Sequence, residues 1–153
     1  MPHSLIQIGI KRLLEAGLAT KAILKGCSAE EIKKLERALS VSLPTCYREF
    51  LAACGKGAGD FLVGTDWEYR LLVELQVDAA VLLVDCGQPA LAPGSFVFSM
   101  HQGYNFLCFH CDAGPDPPVH LFNEGETARQ VFDSFGEWFQ QCVEDEVAGH
   151  HNR

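Results

Sequence analysis

The chain has 153 residues, 48% of them apolar, seven cysteines and a formal net charge of −8. That length suits one domain, residues 1–153, with a core covering about two-thirds of the unfolded surface, and no apolar run approaches the ~18–20 residues of a membrane span. The start of the chain lacks a basic-then-apolar leader, so an odd cysteine count reads as reduced, mostly buried thiols in a cytoplasmic protein rather than as a disulfide framework.

The charge is unevenly spread. Residues 1–57 hold nine Lys and Arg against five Asp and Glu, whereas residues 58–153 hold three against fifteen. A field of that sign repels phosphate backbones and draws basic partners, so the expected partner is a basic protein and not nucleic acid or a membrane. The plain alternative is an acidic surface that only keeps the protein soluble.

Ser4 and Gln7 have capping-box spacing, and Leu5, Ile8, Leu13 and Leu14 outline a first helix ending near Gly17 or Gly26. Ser28 and Glu31 repeat the box, with Ile32, Leu35 and Leu39 as the apolar stripe of a second helix. The segment LPTCYREFLAACGKG then starts a third helix at Pro44, where a missing amide hydrogen costs nothing. Tyr47, Phe50, Leu51 and Cys54 recur at helical spacing as its core face, and Gly55 ends it before a strand-like FLVG. Thr65 and Glu68 form another candidate box, opening a segment from Asp66 to Asp85. Its length and the spacing of Leu71, Leu75, Ala79 and Leu82 favour helix over the strand reading that its β-branched content invites.

Phe96 and Phe98 alternate as strand residues do, His101-Gln102-Gly103 is a hairpin connection, and Tyr104 opens a strand carrying Phe106, Cys108 and His110 on one face. A loop DAGPDPP, a strand VHLF and a loop NEGET follow, and Ser134 with Glu137 opens a final helix burying Phe135, Trp138, Phe139 and Cys142. The tail after about residue 147 reads as disordered. The sum is an α+β fold: N-terminal helices and a C-terminal helix packed on a mainly antiparallel sheet of about four to six strands, in an order the sequence does not fix.

The order of four pieces is specific. IKKLERALSVSLPTCYREFLAACGKG, SFVFSMHQGYNFLCF, PPVHLF and SFGEWFQQCVED together resemble the SUKH superfamily, the Smi/Knr-type proteins, over residues 28–146. The signature falls on Leu43, Pro44, Tyr47, Phe50, Leu51, Gly55, Gly103 and Trp138. The resemblance implies a non-catalytic module that binds proteins: an immunity protein occluding the active site of a cognate bacterial toxin, a nuclease for instance, or else a cytoplasmic adaptor or regulatory scaffold.

Enzymatic readings are poorly supported by spacing. Cys108, His110 and Cys111 lack the second short ligand pair of a structural zinc site. A thiolate beside His101 or His110 would make a Cys–His nucleophile, but nothing local marks one cysteine for that role and no elbow or oxyanion motif accompanies it. Gly55-Lys56-Gly57-Ala58-Gly59 follows a helix rather than a strand, the reverse of a phosphate-binding loop. No catalytic residue, metal ligand or cofactor is therefore assigned.

Interfaces concentrate energy in aromatic anchors ringed by polar groups. The candidates are Trp67 and Tyr69 with their neighbours Asp66 and Glu68, then His101 and Tyr104 at the hairpin, and the loop acids Asp112, Asp116, Glu124 and Glu126. Core burial is the plain alternative for the aromatic residues. Reversing the four loop acids to lysine is expected to leave the fold intact and to slow association with a basic partner.

Overall fold

A computed structural model describes residues 4–151. Serine caps shape the first two helices. Ser4 and Gln7 form a reciprocal capping box at the head of α1 (Leu5–Glu15), and Ser28 with Glu31 does the same for α2 (Ala29–Leu39). Between them the short strand β1 (Leu24–Lys25) pairs antiparallel with β2 (Gly57–Ala58). Pro44 is the N-cap of α3 (Thr45–Cys54) rather than its first helical residue. A 3₁₀ turn, Tyr69–Leu71, leads into α4 (Leu72–Asp85). The main sheet follows in simple sequence order, β3 (Ser95–His101), β4 (Asn105–His110), β5 (Val119–Asn123) and β6 (Arg129–Phe132), all antiparallel, and α5 (Phe135–His151) closes the chain. The fold is α+β, with helices towards both ends of the chain and a four-stranded sheet.

Tyr47 sits at the middle of the core. Its ring lies 5.2 Å from the rings of Phe96, Phe109 and Phe135, joining α3 to the sheet and to α5. Phe50, one turn on, meets Trp67 at 5.5 Å and Phe139 at 5.4 Å, and Trp138 stands edge-on to Phe98 at 4.9 Å. Leu43, Tyr47, Phe50, Leu51 and Trp138 are all buried, so most of the signature builds this contact between helix, sheet and closing helix. Aromatic pairs in such arrangements add about 0.5–1.5 kcal/mol each beyond their burial.

Two backbone details hold the layers. Gly26 lies so close to α3 that a Cβ built on it falls onto the carbonyl oxygen of Ala52, and the next residue, Cys27, donates its N–H to Leu51 O at 2.8 Å. The open side of β3 is closed by α4: the Gln76 carboxamide donates to Val97 O at 2.7 Å and accepts from Val97 N at 2.9 Å, as a neighbouring strand would. Val97 also begins the bulge at which the β3–β4 register shifts.

Three expectations need correction. The run Phe61–Gly64 is not a strand. It coils through turns, with Leu62 at a positive φ of 56°, because Phe61 turns inward to within 5.7 Å of the Phe139 ring. Thr65 and Glu68 do not open a helix either. Asp66 instead exchanges both backbone hydrogen bonds with Met100, each 2.9 Å, which keeps it extended beside β3 and delays the helix to Leu72. Finally, α5 runs on to His151, past the point at which the tail was expected to become disordered, because Val143 and Val147 continue its buried stripe. Residues 152 and 153 lie outside the described part.

Candidate partner-binding surface

The register decides which candidates meet. Antiparallel strands alternate their connections between the two ends of a sheet, so the β3–β4 turn and the β5–β6 turn share one end while the β4–β5 loop lies at the other. At the first end, Gln102 and Gly103 take successive positive φ values of 50° and 77°, the combination required in a type I′ turn. Tyr104 accepts a backbone bond from Glu124 at 3.0 Å, and Asp66 is held to Met100. Asp66, His101, Tyr104, Glu124 and Glu126 therefore gather around one sheet end. Asp66, Tyr104, Glu124 and Glu126 are exposed there, and the His101 ring packs edge-on against Tyr104 at 5.6 Å.

Asp66 also borders a shallow concavity of about 350 Å³ formed by residues 57–68, which includes Glu68 and the 79% exposed side chain of Val63. Glu68 is partly exposed and reaches the Arg70 guanidinium at 3.8 Å. Val63 was missed by the sequence reading because FLVG looked like a strand. The signal was present in the flanking Gly59 and Gly64, which mark a turning segment.

Four candidates belong elsewhere. Trp67 is 3% exposed and packs on Phe50 and Phe61, so it is core and not an anchor. Tyr69 is half-buried, its hydroxyl donating to Glu31 O at 2.8 Å and its amide to Gly55 O at 2.7 Å; it ties the 3₁₀ turn to α2 and to the end of α3. Asp112 and Asp116 lie in the loop at the far end of the sheet. Asp112 is exposed beside His110, whereas Asp116 accepts from the Gly136 amide at 2.8 Å and so satisfies an orphan N–H of the first turn of α5. Asp116 is thus a helix staple. Phe135 N–H bonds Pro117 O and Cys46 N–H bonds Pro115 O, at 2.8 and 2.9 Å, which pin this loop against two helices.

The thiol chemistry weighed from sequence has little support in the electrostatics. Burial pushes the thiols of Cys27, Cys108 and Cys111 up to about 11 and those of Cys46, Cys54 and Cys142 to about 12, so at neutral pH they are protonated and weakly nucleophilic. His110 turns its Nε2 to Pro93 O at 2.7 Å rather than to a cysteine. Among the described residues no three His, Cys, Asp or Glu side chains converge as a metal site would require. What the sheet end offers is contact: an aromatic ring, an exposed valine and a rim of carboxylates.

The model of the SMI1/KNR4 family (SUKH-1) matches residues 26–141. The chain belongs to the SMI1/KNR4 family. The SMI1/KNR4 match begins at the close approach of Gly26 to α3 and ends within α5, so it contains the aromatic core, the whole main sheet and both ends of that sheet, while α1 lies outside it. No curated protein matches the chain.

Proposed function

We infer that this SMI1/KNR4 chain is a non-catalytic protein-binding module that neutralises a cognate bacterial toxin by covering its active site. One observation carries the reading: two backbone tethers, Asp66 to Met100 and Glu124 to Tyr104, collect the exposed acids and the Tyr104 ring at one sheet end. Family membership supports a protein partner in general. A carboxylate rim around an aromatic anchor complements a basic groove, and a nuclease, whose substrate is a phosphate backbone, is the toxin class that most needs one.

The test is affinity capture from the native cell with two baits, the wild-type chain and Asp66→Lys/Tyr104→Ala/Glu124→Lys/Glu126→Lys. The wild type is expected to hold one basic toxin domain stoichiometrically, and the purified pair to be inactive until separated, while the variant, folded by circular dichroism, releases it. Equal capture by both baits overturns the surface. Recovery of several housekeeping proteins by the wild type replaces the immunity reading with that of an adaptor.

A further inference from the structure

The face of α4 turned away from the core has a composition that packing does not explain. Val73, Val77, Val81 and Val84 are 49, 60, 54 and 76% exposed. At about 100° per residue they fall on one stripe of the helix, opposite buried Leu72, Leu75, Ala79 and Leu83, and the stripe extends about 17 Å at 1.5 Å per residue. Solvent-facing helix positions normally carry charged or polar residues, and an i, i+4, i+8, i+11 row of β-branched apolar side chains has neither the polarity nor the helix propensity to be there for solubility or local stability. Beside it runs a groove of about 350 Å³ between α4 and the connection to β3, with Ala80 and Leu91 among its walls.

The charges around the stripe say what it fits. Glu74, Asp78 and Asp85 are exposed along the flank away from the groove. α4 itself carries no Lys or Arg, the preceding Arg70 is drawn to Glu68, and the exposed cations of the neighbouring α2, Lys33, Lys34 and Arg37, belong to another helix face. A second copy is a poor occupant. Antiparallel two-fold packing of α4 on α4 sets acidic row against acidic row, and parallel packing sets each row against an apolar flank without a cation. A helix with an apolar stripe and Lys or Arg along one flank satisfies both the valines and the carboxylates.

We propose that the valine face of α4 is a second docking surface, for a basic amphipathic helix of a partner protein. It stands on different residues from the sheet-end surface and does not depend on the immunity reading.

The test uses the full chain and two fluorescent synthetic peptides of about 18 residues with the same leucine stripe, one flanked by lysines and one by glutamates, followed by anisotropy in about 100 mM salt. The lysine-flanked peptide is expected to bind at least about tenfold more tightly. Val77→Ser/Val81→Ser, exposed positions that leave the core untouched, should weaken it about tenfold, and Glu74→Lys/Asp78→Lys/Asp85→Lys should shift preference to the glutamate-flanked peptide. Asp66→Lys/Glu124→Lys/Glu126→Lys changes net charge equally at the sheet end and should leave peptide affinity within about twofold. Equal weakening by the two triple reversals, unchanged binding by the serine variant, or equal affinity for both peptides overturns the proposal. So does a dimer in sedimentation equilibrium that the serine substitutions abolish, which assigns the face to a second copy.

Discussion

Tyr47 carries a hydroxyl into the driest part of the molecule. The side chain is fully buried, burial raises its pKa well above 10.0, and among the described residues the hydroxyl finds no hydrogen-bond partner. A buried polar group without a partner is a cost, so Tyr47→Phe should leave stability unchanged or raise it by up to about 1 kcal/mol in urea denaturation. A loss of more than about 1 kcal/mol would show that the hydroxyl is bonded after all. Tyr47→Ala, which empties the aromatic cluster, should cost about 3–5 kcal/mol. At Gly26 the constraint is steric: an added methyl meets the Ala52 carbonyl, and Gly26→Ala should lose about 3 kcal/mol, with the loss partly recovered in no single side-chain variant because the obstacle is backbone. Asp116 shows how one residue type serves two ends. Its carboxylate caps α5, so Asp116→Lys should cost about 2 kcal/mol, while Asp112→Lys on the same loop should stay within about 0.5 kcal/mol. Of the four loop acids considered for reversal, Asp116 is the one whose carboxylate caps a helix, so it is the reversal expected to cost stability.

At the scale of elements, what was legible in the sequence was local. The capping boxes at Ser4, Ser28 and the Ser134 cap, whose hydroxyl accepts from Glu137 N at 3.1 Å, are contacts between residues three apart and need no tertiary information. Thr65 and Glu68 have identical spacing, yet Asp66 is claimed by Met100, a residue 34 positions on, and no local rule anticipates that. The placement of the candidate residues has the same origin. Glu124 in a loop was readable as exposed and Tyr104 at a turn as either anchor or core, but that they meet, and that Asp112 and Asp116 do not join them, follows only from the pairing order of the strands. Gln76 belongs to this scale too, since it ends the sheet. Gln76→Leu leaves the N–H and C=O of Val97 without their carboxamide and should cost about 1–3 kcal/mol, with faster amide exchange at Val97 in particular.

For the whole molecule, stability should have two pH limbs of distinct origin. Six thiols, three buried and three half-buried, have folded pKa values raised from 9.0 to about 11 or 12. The unfolded chain loses these protons first, so the stability they contribute is intact below pH 9.0 and falls as pH rises towards 11–12. Urea midpoints measured from pH 7 upwards should decline on that limb, and less steeply in Cys54→Ala. On the acid side Glu31 is held below its ordinary 4.5, first by the Ser28 backbone N–H and then by the Lys56 ammonium 3.1 Å away. A lowered carboxyl contributes stability above 4.5 that disappears as pH falls through its folded value, so Glu31→Gln should flatten the acid limb. An unaltered acid limb in that variant would place its cause in other carboxylates.

The unequal anchoring of the two sheet ends bears on how such a protein is re-targeted. The 111–118 loop depends on one particular side chain, the Asp116 carboxylate that accepts from Gly136 of α5, and on two prolines with fixed φ whose carbonyls accept from Cys46 and Phe135, so changes there trade against folding. The turns at 102–104 and 124–126 touch the rest of the molecule mainly through backbone bonds, which side chains other than proline leave in place. A library randomised at Tyr104, Glu124 and Glu126, with proline omitted and with Gln102 and Gly103 retained for their φ of 50° and 77°, should therefore yield a high fraction of folded clones from which new specificities can be selected, whereas the same diversity placed at 115–117 should yield few.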